Sequence, residues 1–156
     1  MGRSRSALTA ALGTAALAAG ALAFAPTASA VDPTTAIVTA DCGSAGSGEA
    51  TLTATQDGTA ATITLSSSAV KAPIDVAAGS VETTLTMTKN GSDTATFTGK
   101  SNPAMSAGDD VNSGPLDGTV AAGDVMEAKS VKLVIFGAIT VNCTATSAQT
   151  PGPFTF

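Results

Sequence analysis

Glu49-Ala50-Thr51-Leu52-Thr53-Ala54-Thr55-Gln56, then Asp57-Gly58, then Thr59-Ala60-Ala61-Thr62-Ile63-Thr64-Leu65-Ser66 alternates apolar and polar residues on both sides of a turn dipeptide. Alternation with a period of two places every second side chain on the same side of a strand, and Asp-Gly is a strong signal for a two-residue hairpin turn. A turn of that kind pairs Ala54 with Ala61, Leu52 with Ile63 and Ala50 with Leu65 on an apolar face. The opposite face then carries Thr53 against Thr62 and Thr51 against Thr64, a threonine ladder suited to solvent.

Two further regions repeat the pattern. Across Val81–Thr88 and Ser92–Gly99, a two-residue Asn90-Gly91 turn splits the apolar residues between faces, so a three-residue loop Lys89-Asn90-Gly91 is the better reading. It sets Leu85 opposite Ala95 and Thr83 opposite Phe97, with Val81, Met87 and Phe97 on one face. Glu127–Phe136 and Ala138–Thr146 bring Val131, Leu133 and Ile135 into phase with Ile139, Val141 and Cys143 about Gly137. Val38, Ala40 and Cys42 form an inward set near the start, and Ile74–Val76 after Pro73 fits a short edge strand. About seven or eight short strands without helical periodicity predict an all-β fold, foremost an antiparallel two-sheet sandwich of immunoglobulin-like character, with a small β-barrel as the alternative. Leu52, Ile63, Leu85, Phe97, Leu133, Ile135 and Val141 are expected in the core; Thr51, Thr53, Thr62 and Thr64 are expected outside.

The first thirty residues read differently. Arg3 and Arg5 precede an Ala/Leu-rich stretch from Ala7 to Phe24, and Ala28-Ser29-Ala30 supplies small residues for cleavage before Val31, the pattern of a secretory signal peptide. The remainder divides into a domain over residues 31–150 and a Pro/Phe tail over 151–156. None of its stretches approaches the ~20 apolar residues of a membrane helix. The expected location is extracellular or at the cell surface, and two cysteines in such a chain are expected to pair as Cys42–Cys143.

Composition narrows the function. The chain contains no His, Tyr or Trp, and its only arginines, Arg3 and Arg5, lie in the leader. The usual general bases and anion clamps are therefore missing, which argues against an enzyme. Without the two arginines, five lysines stand against twelve acids, a net charge of −7. Nucleic acid is an unsuitable partner for such a chain, because its binding rests on a basic face. Signal peptide, Ala/Thr-rich composition and the Cys42/Cys143 framing together resemble the small exported two-cysteine β-sandwich proteins of actinobacteria, a resemblance that carries over no active-site residues.

The candidate sites are few. Ser101–Gly118 is the longest stretch without strand character. Within it Asp109, Asp110, Asn112 and Asp117 are hard oxygen donors that could hold calcium, but Pro115 stands where an EF-hand loop needs Gly and no Glu follows at the twelfth position, so a solvated loop is the preferred reading. Met105 is the candidate contact of an inhibitor loop. Phe154 and Phe156 could dock a partner, although packing of the tail is preferred. Ser68-Ala69-Val70-Lys71 matches Ser-x-x-Lys in letters, without the Ser-Asp-Asn and Lys-Thr-Gly companions of serine acyl-enzymes. The sequence thus predicts a secreted, non-catalytic binding or structural protein without a cofactor, its partner a protein or cell-envelope component. A secreted enzyme inhibitor or small hydrolase is the alternative.

Overall fold

A computed structural model describes residues 30–156, so the expected leader falls outside the described residues apart from Ala30. Nine strands follow in order: β1 (Thr35–Asp41), β2 (Ser47–Asp57), β3 (Ala60–Lys71), β4 (Val81–Lys89), β5 (Asp93–Gly99), β6 (Asp110–Thr119), β7 (Val125–Ile135), β8 (Ile139–Ala145) and β9 (Phe154–Thr155). A short 3-10 turn, Gly43–Ala45, joins β1 to β2. The strands pair in the order β4-β5-β6-β3-β2-β1-β8-β7, and β4 also pairs with β7, which closes an eight-stranded antiparallel barrel; β9 adds to β7. Among the described residues no helix is long and apolar enough to cross a membrane.

This corrects the two-sheet, immunoglobulin-like sandwich in favour of the barrel. The ladders explain why the two readings are close. β5-β4-β7-β8 and β6-β3-β2-β1 are each joined by long ladders, while the two groups meet through the single pair Thr98↔Asp117 on one side and Ala40↔Ala145 and Asp41↔Thr144 on the other. The same alternation serves a sandwich, and two thin seams make the barrel.

Each strand turns its apolar side inward. Leu52, Ile63, Leu85 and Phe97 are fully buried, and Leu133 and Ile135 nearly so. Val141 is only half-buried, because it lies near the open end described below. Thr53 and Thr64 are exposed, whereas Thr51 and Thr62 are half-buried. Polar outside and apolar inside is the reverse of a lipid-facing barrel.

The first hairpin turns one position later than expected. Asp57 pairs with Ala60, which sets Ala54 against Ile63 and Leu52 against Leu65. Gly58 at φ 60° is the first central residue and Thr59 has no positive φ, the combination of a Gly-x type II′ turn. In the second hairpin Asn90 and Gly91 both take positive φ and Ser92 is an additional loop residue, so Lys89 faces Asp93 and Leu85 faces Phe97. Both registers move by two residues, one full pleat, and the inward and outward faces are preserved. The third hairpin is as expected, with Ile135↔Ile139, Leu133↔Val141 and Val131↔Cys143.

Ser101–Gly118 is not one loop: its second half is β6, which pairs along β3. Gly114 and Pro115 conceal it, since both weaken a strand interior. They are tolerated at a bulge in the β3–β6 register between Ile63 and Leu65. A Cβ on Gly114 would lie 2.9 Å from the Ile63 carbonyl oxygen. Further along, a Cβ on Gly118 would lie 2.4 Å from the Phe97 ring, so this glycine leaves the space that the ring fills. Ile74–Val76 contributes only the bridge Val76↔Met105 rather than an edge strand.

Leu52→Ala should lower stability by about 2–5 kcal/mol, because it opens a void in the close-packed interior, while Thr53→Ala on the exposed face should change it by less than about 0.5 kcal/mol. Urea unfolding of the two variants checks the facing of β2; equal losses would contradict it.

Candidate functional site

The two ends of the barrel differ. At one end β2–β3, β4–β5 and β6–β7 turn, and there the chain terminus folds inward. Phe154 and Phe156 are fully buried, and Phe156 stacks 6.3 Å from Phe97 and lies 6.2 Å from Phe154. The tail reaches this position by following β1: Thr146 N–H donates to the Thr39 carbonyl, Ile37 and Thr150 exchange both backbone bonds, and Asp32 and Thr155 do the same. The two candidate docking phenylalanines thus form a plug in the core and present nothing to a partner.

Asp124 secures this end. Its carboxylate accepts from Lys89 Nζ at 2.8 Å, from the Ala121 N–H at 2.8 Å and from Asn90 Nδ2 at 3.4 Å, and its carbonyl accepts from the Phe156 N–H. The Lys89 ammonium, foremost, holds the carboxyl below its ordinary range; burial opposes this, and the Ala121 and Asn90 donors add to it. A carboxyl lowered in the fold stabilises it above the unfolded value of about 3.9 and loses that contribution as pH falls through the folded value. Asp124→Asn should therefore cost about 1–3 kcal/mol at pH 7, and the difference from wild type should shrink towards pH 3. A gap in urea midpoints of equal size at both pH values would contradict the ion pair.

The other end is open and apolar. A cavity of about 160 Å³ lies among Val70, Ala72, Val76, Val81, Met105, Leu133, Ile135 and Val141. Its exposed lining residues Ser44, Lys71 and Pro73 mark the mouth. A second chamber of about 60 Å³ shares Val70, Val111 and Leu133 with it and extends along the Cys42–Cys143 disulfide. Close packing is the rule in protein interiors, and this space departs from it. Beyond the mouth, Ile139 is 42% exposed on the same side of the β7–β8 hairpin as Ile135 and Val141, which extends the apolar wall outward.

The disulfide sits where the β1–β8 ladder ends. Ala40↔Ala145 and Asp41↔Thr144 are its last pairs, and Cys42–Cys143 occupies the next rung as a covalent link. It closes the barrel wall beside the cavity.

Of the remaining candidates, Met105, Asp109, Asp110 and Asn112 border one surface hollow, and Asp117 stands apart from them. Met105 is 7% exposed and belongs to the cavity lining, with its Sδ accepting from the Asn112 N–H, so it is not displayed as an inhibitor contact. Asp109 accepts from the Ser106 N–H, and Asp110 pairs with Lys71. Asp117 lies seven residues further along β6, roughly 20 Å at strand spacing, where it faces Thr62 and Thr98. Asp109, Asp110 and Asn112 thus lie together without Asp117, and among the described residues no group of three or more His, Cys, Asp or Glu could hold a metal. Ser68 and Lys71 lie in β3, whereas the acyl-enzyme motif opens a helix. Sequence reasoning missed the cavity, because its lining comes from segments spread between Ser44 and Val141 and no local pattern joins Val76 or Val111 to Val141. Searches against protein-family models, curated proteins and solved structures find no match to the chain.

Proposed function

We propose that the protein is an exported, non-catalytic binding protein that receives its ligand in the apolar cavity at the disulfide end of the barrel. The observation that carries this reading is the cavity itself: about 160 Å³ of largely apolar space bordered by strand ends and by the loop residues Ala72, Val76 and Met105, at the end opposite the aromatic plug. Binding sites are typically concave, largely apolar and already formed in the free protein. The absence of His from the chain and of Arg after the leader supports binding rather than catalysis. Export is supported by the leader pattern and by the disulfide, which persists in oxidising compartments.

Native mass spectrometry of the protein purified from the medium in which it is secreted tests this proposal. The expected spectrum shows the disulfide-bonded chain beginning at Val31 together with a noncovalent adduct of low mass that disappears on denaturation. Retention of the protein inside the cell, or an adduct that persists when the cavity is filled by Ala72→Leu, would contradict the reading.

A further inference from the structure

Resting on that reading, we propose that the ligand is a neutral, hydrocarbon-like molecule, a single ring or a chain of about six to ten carbons. The size follows from the chambers: an apolar cavity of ~150 Å³ accommodates one benzene. The larger chamber here is about 160 Å³, and its narrower neighbour of about 60 Å³ leaves room for a slender extension towards the disulfide.

The neutrality follows from the polar groups in the walls. Lys71 is the one charged residue of the lining, and its ammonium is already paired with Asp110. An anionic head group would have to displace that carboxylate. Asp109 stands close by in the sequence and the whole chain is acidic, with a net charge of −5, so an anion meets repulsion at the entrance as well. Three of the hydrogen-bonding side chains in the walls are already engaged. Ser113 Oγ is bonded to Thr83 Oγ at 2.5 Å, Ser67 Oγ donates to the Glu49 carbonyl at 2.7 Å, and Asn112 Nδ2 donates to the Asp110 carbonyl at 3.1 Å. A polar ligand would exchange its water for a lining that is mostly aliphatic, and that cost selects against it. Most of what remains for contact is aliphatic carbon, with the Met105 thioether and the disulfide as polarisable apolar surface.

Toluene and benzoate, equal in ring size and different in charge, are the probes. Each is titrated into the full disulfide-bonded chain while methyl resonances are followed by NMR. Toluene should shift the methyl groups of Val76, Val81, Met105, Leu133 and Ile135, and benzoate should bind at least tenfold more weakly. Ala72→Leu should abolish the toluene shifts; Val141→Phe, at a half-buried position in the lining, gives the same test should the first variant fail to fold. Comparable binding of benzoate overturns the neutral class while leaving the cavity as the binding site. Absence of any toluene shift at the cavity methyls, or shifts that survive both variants, overturns the ligand class and the binding site together.

Discussion

A Cys42→Ser/Cys143→Ser double variant should lose about 2–5 kcal/mol of stability, with the loop-entropy estimate for a closed loop of ~100 residues near the upper end at ~4.7 kcal/mol. The two cysteines are 101 residues apart and join the first strand to the last long one, so the link constrains nearly the whole unfolded domain. Its position adds a local effect. At the disulfide end of that side β1 and β8 share only Ala40↔Ala145 and Asp41↔Thr144, the segment after β8 following β1 towards the other end, and β8 between Ile139 and Cys143 pairs only with β7. Hydrogen exchange should accelerate first around residues 40–42 and 143–145, ahead of β2 and β3. Binding of an apolar probe should weaken together with the seam, because both sulfurs line the inner chamber. Urea unfolding with exchange mass spectrometry measures both effects. A loss below about 1 kcal/mol with uniform exchange would show that the ladder alone closes the barrel.

Phe156→Ala should cost about 3–5 kcal/mol. Here the ring is 1% exposed, packs against Phe97 and Phe154, and is fixed by backbone bonds of Phe156 to Gly123 and Asp124. Phe136→Ala provides the contrast. That ring is 52% exposed and its backbone lies at φ 51°, so removing it should change stability by less than about 1 kcal/mol. Thermal and urea unfolding of the two variants should differ clearly; equal effects would mean that the plug at the terminus does not support the core.

Much of the strand structure was legible because alternation is local. The inward sets of all three hairpins hold even though two turns were assigned in the wrong register, since the slip in each is an even number of residues and leaves every side chain on its face. β6 was not legible, because Gly114 and Pro115 read as a loop unless the bulge against Ile63 and Thr64 is known. The separation of Asp117 from the other polar candidates was hidden for a related reason. Asp109, Asp110, Asn112 and Asp117 are neighbours in sequence, but an extended strand separates its residues by ~3.3 Å each, and β6 carries Asp117 towards the opposite end.

By itself the sequence determined the all-β character, the faces of the hairpins, the choice of the two cysteines as partners and the lack of His throughout and of Arg beyond Arg5. These depend on residue type or on a period of two along one segment. Closure of the barrel, burial of Phe154 and Phe156 and the apolar cavity were decided only by the tertiary structure. Each depends on which distant segments meet: β4 with β7, the tail with β1, and Val70, Val76, Val111 and Val141 around a common space. A valine that fills a core and a valine that borders a cavity carry the same local pattern, and the space between them exists only once the strands have closed around it.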